Sequence, residues 1–308
     1  MRMRWRLGWR MGRRVVAGLI MASALAASLT GCAYLDVKQR ELIFRPNKEY
    51  SSTPADQGIA YEDVWLKVGS AGGSAERVHG WWMPAAERGA PALLYLHGAR
   101  WSIGNNLFRI ARLREAGFSV LAIDYRGFGK SDGELPSEAQ TYEDAHAAWT
   151  WLEARVPDAR RRFIFGHSLG GAVAIDLAAR HPEAAGLIVE SSFTSIPDMA
   201  SLNYWYVPSL VLTQRYASLE KIAVVKLPVL FMHGKADSVV PYSMSEQLHA
   251  AATAPKRLLL VPGAGHSNIS WRFSDEYIRT LKAFVAEVGS DGNNGGGGQA
   301  GNRAASGT

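Results

Sequence analysis

One stretch constrains the fold of this chain more than any other: Phe163-Ile164-Phe165-Gly166-His167-Ser168-Leu169-Gly170-Gly171. A short apolar run ends in G-x-S-x-G and passes directly into Ala172-Val173-Ala174-Ile175-Asp176-Leu177-Ala178-Ala179-Arg180, which reads as helix. Strand, tight turn, helix is the context in which the motif carries meaning. A side chain at Gly166 or Gly170 would collide with neighbouring backbone, and so sharp a turn holds Ser168 strained with its hydroxyl exposed. Ser168 is therefore the candidate nucleophile. Five residues of this pattern arise often by chance, so the weight of the assignment rests on what surrounds them.

From Ala92 onward short continuous apolar runs alternate with helical patterns. The runs are Ala92-Leu96, Ser119-Ile123, Arg162-Phe165, Leu187-Val189, Val229-Met232 and Arg257-Val261. Helices are expected over Ile103-Ala116, Glu138-Arg155, Leu169-Arg180, Tyr242-Ala252 and Trp271-Val288. Strands apolar on both faces, alternating with helices, imply an α/β fold whose parallel sheet is covered on both sides. Ligands of such sheets sit at the carboxyl ends of the strands. Ahead of them, Glu62-Val68 and Arg77-Met83 read as an antiparallel hairpin, with Trp81 and Trp82 as packing aromatics at a sheet edge.

Candidate chemistry collects at those strand ends. Acyl transfer places negative charge on the carbonyl oxygen, which preorganised backbone donors must meet. The expected donors are the amides of Leu169, just after the nucleophile, and Ala99, just after Leu94-Tyr95-Leu96-His97-Gly98. His97 reads as a structural hydrogen-bonder under that loop. Asp124-Tyr125-Arg126-Gly127-Phe128-Gly129-Lys130-Ser131 lacks the helix that a phosphate cradle needs, so Asp124 and Arg126 read as braces. The acid and the histidine should follow the serine in that order. Asp237, in His233-Gly234-Lys235-Ala236-Asp237, ends one strand, with Glu190 as the alternative acid. Of the two later histidines, His249 lies inside a helical pattern, whereas His266 follows Pro262-Gly263-Ala264-Gly265, a loop able to bring its ring to the serine. His266 is the expected base.

Taken in order, these markers make residues 64–285 resemble the alpha/beta-hydrolase superfamily, specifically its lysophospholipase-like or serine aminopeptidase-like branch. The resemblance implies a mostly parallel sheet of about eight strands with helices on both faces and a short cap. It also implies a Ser-His-Asp mechanism without cofactor or metal. That branch commonly carries asparagine after His-Gly, where this chain has Ala99, Arg100 and Trp101. The backbone donor is kept and the side chains at the mouth differ.

Residues Met1 to Arg14 hold six arginines and no acid, and an apolar run from Val15 to Thr30 follows. A bilayer-spanning helix wants about 20 apolar residues, so this reads as a secretory signal. Leu29-Thr30-Gly31-Cys32 resembles the lipobox of bacterial lipoproteins, which implies cleavage before Cys32, its diacylation, and attachment to the envelope membrane. Cleavage after Ala24-Leu25-Ala26 and an uncleaved anchor are the competing readings. Ala33, where some bacteria use an inner-membrane retention aspartate, favours the outer membrane. Six of the 34 basic residues precede Cys32, leaving 28 against 28 acids. A neutral mature chain gives no reason to expect nucleic-acid binding. With a single cysteine, no intramolecular disulfide can form.

The expected organisation is a signal over 1–31, a membrane tether and surface-hugging lead-in over 32–57, one hydrolase domain over 58–288 and a disordered Gly/Asn-rich tail over 289–308. Tyr34, Leu42, Ile43 and Phe44 are the expected tacks of the lead-in. A cap over residues 192–227 is expected to supply aromatic and aliphatic walls to the site, with Phe193 and Trp205, beside Arg100 and Trp101, as candidate substrate contacts. The expected activity is hydrolysis of a small-molecule or acyl-lipid carboxylic ester. Thioesterase or peptidase chemistry uses the same groups, and a non-catalytic envelope module built on the fold is the alternative.

Overall fold

The structure, a computed structural model, describes residues 30–69, 73 and 75–294. The basic and apolar leader before Thr30, most of the glycine-rich hairpin turn, and the tail from residue 295 lie outside the described residues.

Eight strands form one sheet: β1 (Glu62–Val68), β2 (Glu76–Met83), β3 (Ala92–Leu96), β4 (Ser119–Ile123), β5 (Arg162–His167), β6 (Gly186–Glu190), β7 (Val229–Gly234) and β8 (Lys256–Val261). Their order is β1-β2-β4-β3-β5-β6-β7-β8. β2 pairs antiparallel with both β1 and β4, and every other pairing is parallel. Each strand falls within two residues of the apolar run that announces it. In β1 only Val64, Leu66 and Val68 are buried, the alternation of a strand with one wet face. β3 to β7 are buried along their whole length, which continuous apolar runs require.

Nine α-helices and four short 3-10 helices complete the described chain; the α-helices are α1, described over residues 30–44, then α2 (Leu107–Glu115), α3 (Glu138–Arg155), α4 (Leu169–Arg180), α5 (Ile196–Asn203), α6 (Ser218–Ile222), α7 (Tyr242–Ala251), α8 (Ile269–Arg272) and α9 (Ser274–Asn294). α3, α4, α6 and α7 cover one face of the sheet, and α2, α8 and α9 the other. Two apolar layers result, with Trp149 fully buried in the first and Trp81 in the second. α3 begins at a capping box in which Ser137 and Gln140 satisfy each other's backbone N–H groups.

Two segments differ from the sequence reading. The lead-in is helical through Phe44, and its tacks are mostly polar. Asp36 and Gln39 bind Thr213 and Gln214, and Arg40 donates to the carbonyls of Leu135 and Pro136. Phe44 is fully buried, worth about 1.5–3 kcal/mol. Tyr34 and Leu42 instead face outward. At the far end, α9 runs on to Asn294, beyond the position where glycine content suggested that the domain stops.

The order reverses between β3 and β5, and at such a switch point the connections diverge to leave a crevice at the strand ends. Ala99 follows one of these strands and Ser168 the other.

Candidate active site

β5 gives way to α4 at Ser168, whose φ is 55° and ψ −120°. A positive φ at a residue with a side chain costs about 1–3 kcal/mol and persists only where the surroundings enforce it. Here they do. A Cβ on Gly166 would lie 2.1 Å from the Gly170 carbonyl oxygen, and one on Gly170 would lie 2.1 Å from that of Leu96. Neither glycine can be anything larger. The Ser168 N–H donates to the Glu190 carbonyl (2.8 Å), and the Ser168 carbonyl accepts from Gly171 N–H and Ser192 Oγ, both at 2.9 Å.

The loops after β7 and β8 are joined by backbone bonds from Lys235 to Val261 (2.9 Å) and from Ala236 to Ala264 (2.8 Å). That pairing carries Asp237 and His266 to the same place. His266 Nδ1 lies 2.7 Å from Asp237 Oδ2, and His266 Nε2 lies 3.0 Å from Ser168 Oγ. Because a carboxylate only accepts, Nδ1 carries the proton and Nε2 offers its lone pair to the serine hydroxyl. The three residues singled out from sequence are thus brought into one hydrogen-bonded chain.

Asp237 is held by more than its histidine. Its Oδ1 accepts the N–H groups of Val239 (2.8 Å) and Val240 (2.9 Å), and its Oδ2 also faces His233 Nε2 at 3.0 Å. His233 Nε2 faces the Val240 carbonyl as well, so it is the protonated nitrogen, and Nδ1 accepts from Ser245 Oγ at 2.7 Å. Burial alone would push the Asp237 carboxyl upward. The hydrogen bonds from His233, His266 and Val240 outweigh it and hold the group well below the usual carboxylate range.

His167, inside the motif itself, donates from Nε2 to the His266 carbonyl at 2.9 Å, and the two rings lie 5.0 Å apart. Burial, then the nearby Arg109 and His266, hold its pKa well below the ordinary value, so it remains a neutral donor. Neither this role nor that of His233 is legible in the spacing, although each residue lies inside a motif already singled out.

Gly98 packs so closely on the turn that a Cβ there would sit 3.1 Å from the Ser168 Cβ. This brings the start of the loop after β3 against the nucleophile. The Leu169 N–H opens α4 and has no intrahelical acceptor, and neither it nor the Ala99 N–H has a backbone acceptor among the described residues. Arg100 next to it takes φ 74° and donates its N–H to the Phe44 carbonyl at 2.8 Å, fixing the course of the loop. Among the described residues these two N–H groups have no acceptor; Ala99 lines the same cleft as Ser168, and the positive end of α4 begins at the serine, a setting that favours negative charge.

A cleft of about 580 Å³ opens over Ser168 and His266. Arg100 and Trp101 line it, as the sequence reading expects. Phe193 and Trp205 do not: Phe193 is buried against the Tyr216 ring, and Trp205 stands in solvent against Tyr206. No residue of 192–227 lines the cleft. Its apolar walls come instead from Phe108 on α2, Val239 after β7 and Trp271 on α8, which are far apart in sequence and converge only in the fold.

The remaining candidates are structural. Glu190 is buried against Arg109 Nε (3.0 Å) and Tyr277 Oη (2.8 Å), so it is occupied elsewhere. His249 packs on Phe231. Asp124 accepts from the Ile103 N–H and Tyr50 Oη, and burial raises its pKa to about 7. Arg126 is ion-paired to Asp144, Glu143 and Glu76. His97 is fully buried between Tyr125 and Phe128, which lowers its pKa to about 4. Among the described residues, the side chains with metal-ligand spacing are Glu153, His181 and Glu183, none of which lines the cleft. Cys32 is a free, exposed thiol on α1.

Known proteins share this arrangement of chain. Residues 89–218 match the family described as serine aminopeptidase, S33. An uncharacterised protein of Mycobacterium tuberculosis is 37% identical over 254 residues, 82% of this chain and 88% of its own length. The alpha/beta hydrolase domain-containing protein WAV2 of Arabidopsis thaliana is 31% identical over 249 residues, 73% of this chain and 79% of that protein. An esterase of Pyrococcus furiosus superimposes with a TM-score of 0.65 over 79% of this chain and 98% of its own, at 21% identity, a likeness of fold alone. The strand order, the strained turn at Ser168 and these relatives agree: the chain belongs to the alpha/beta-hydrolase superfamily of serine hydrolases.

Proposed function

We propose that this hydrolase cleaves a carboxylic ester through an acyl-enzyme on Ser168. The observation that carries the reading is the chain from Ser168 Oγ to His266 Nε2 (3.0 Å) and from His266 Nδ1 to Asp237 Oδ2 (2.7 Å), opening on an apolar cleft. Ser168 Oγ attacks the carbonyl carbon while its proton passes to His266 Nε2. The Ala99 and Leu169 N–H groups receive the oxyanion, and Asp237 holds the imidazolium that forms. His266 then gives the proton to the departing alkoxide as the carbon–oxygen bond breaks. Water repeats the sequence on the acyl-enzyme and frees the acid. Trp101, Phe108, Val239 and Trp271 suit an acyl chain or another uncharged group better than a phosphorylated metabolite.

The test is hydrolysis of p-nitrophenyl esters from acetate to palmitate by the purified chain beside Ser168→Ala. A loss of at least about 10³ in kcat is expected, because removing a triad member leaves only binding and the oxyanion donors. If both forms turn over every ester at the same rate, the ester reading is abandoned, and thioesters, amides and a binding role move ahead.

We propose further that Cys32 is diacylated after cleavage before it and holds the enzyme to the envelope, on the periplasmic face of the outer membrane. The lipobox-like Leu29-Thr30-Gly31-Cys32 and an exposed thiol at Cys32 support this. Mass spectrometry of the membrane-extracted chain should give an N-terminal peptide starting at an acylated Cys32, absent from Cys32→Ser. An unmodified thiol in the membrane fraction would sink the proposal.

A further inference from the structure

α1 and the chain between α5 and α6 share an outward face that the fold leaves bare. Gln39 joins the two: its amide donates to the Val211 carbonyl at 2.8 Å, and its oxygen accepts the Thr213 N–H at 2.9 Å. Leu35 and Leu42, four residues before Gln39 and three after it, flank it on the same side of the helix. Both are half exposed, while Leu210 beside Val211 is 92% exposed. A few residues upstream, Trp205 is 82% exposed and meets Tyr206, which meets Tyr204. None of these side chains lines the cleft. Large apolar side chains gathered on one surface with no partner in the fold mark an interaction face.

Sequence and charge together identify what covers it. The apolar run Val15 to Thr30 leads directly into the described part of α1, which carries Cys32. Whether the leader is retained or cut and replaced by acyl chains, the lipid-inserting group enters there. At about 1.5 Å per residue, Leu35 is then only about 5 Å along the helix from Cys32, and Leu42 about 15 Å. Trp and Tyr rings, with an apolar body and a polar edge, are the side chains that settle at the headgroup level of a bilayer. The charges on α1 are spent internally, Lys38 on Glu41 at 2.6 Å and Arg40 on Asp36 at 3.3 Å. An anionic surface is therefore not required. We propose that this face lies on a phospholipid bilayer, with Trp205, Tyr206 and Leu210 at the boundary between headgroups and acyl chains. The segment that in sequence looks like a substrate-binding cap is thus a membrane-docking surface.

The test uses the full chain carrying Cys32→Ser, which leaves no native thiol. A single environment-sensitive fluorophore is attached at Leu210→Cys, or at Arg160→Cys, a residue ahead of β5 at the opposite end of the sheet. With phosphatidylcholine vesicles carrying brominated acyl chains, quenching at position 210 should be at least five-fold stronger than at 160. It should also fall at least three-fold when Trp205→Glu is added, with an unchanged thermal midpoint showing that the fold is intact. Equal quenching at both positions on vesicle-bound protein overturns the proposal, since the enzyme would be tethered with this face held off the lipid. Failure of the chain to bind vesicles overturns it as well. A blue shift at 210 that grows with protein concentration without vesicles assigns the face to a second copy of the chain instead.

Discussion

Asp237 is the most firmly held charge of the site. Two imidazole N–H groups and two backbone N–H groups converge on one buried carboxylate. Its folded pKa lies below the unfolded value of about 3.9. Ionised Asp237 therefore contributes stability throughout the range above that value, and the contribution is lost as pH falls through the folded pKa. In activity, the carboxylate stays charged between about pH 4 and 8, so the acid limb of kcat/KM should follow a single proton, with unit slope. A slope of two would show that Asp237 titrates as well and would contradict the geometry. Asp237→Asn should lower kcat by about 10⁴ with the fold intact, because an amide can face either tautomer of His266. Ser168, His266 and Asp237 were legible in the sequence because each ends a recognisable strand. His233 and His167 were quoted in their motifs without a role, since only the fold shows a side chain four residues before the acid turning under it, and another reaching the His266 carbonyl.

At the scale of elements, α4 meets the sheet at a distance that glycine alone allows. In an isolated helix Gly170→Ala would gain about 1 kcal/mol from propensity. Here the added methyl would lie 2.1 Å from the Leu96 carbonyl oxygen, which is backbone at the end of a central strand and cannot swing aside. Overpacking of that kind costs about 1–3 kcal/mol or more, so contact outweighs propensity. Urea unfolding should show a net loss of about 2 kcal/mol, together with a drop in activity as the turn at Ser168 relaxes. A stabilised variant would mean that α4 stands farther from β3. The strands were readable because burial on both faces leaves continuous apolar runs. α5, α6 and α1 were not, because short or polar helices are held by tertiary partners rather than by their own pattern. The Ile196 N–H donates to Arg215, the Leu219 N–H to Thr194, and α1 depends on residues more than 170 positions away. Trp205 and Phe193 misled for a related reason: aromaticity signals that a ring is used, and only topology says on which side.

Taken whole, the molecule separates its surfaces. The cleft takes its walls from α2, α8 and the loop after β7. The segment after α5 and the outer side of α1 form a bare apolar face that contributes nothing to those walls. With the attachment proposed at Cys32 on α1, anchor and chemistry would occupy different parts of the surface. They are nevertheless not independent. α1 ends on Phe44, whose carbonyl holds the Arg100 N–H, one residue past the Ala99 amide that flanks the serine. If Cys32 is the anchor as proposed, α1 and the single hydrogen bond from the Arg100 N–H to the Phe44 carbonyl place tether and chemistry mechanically in series.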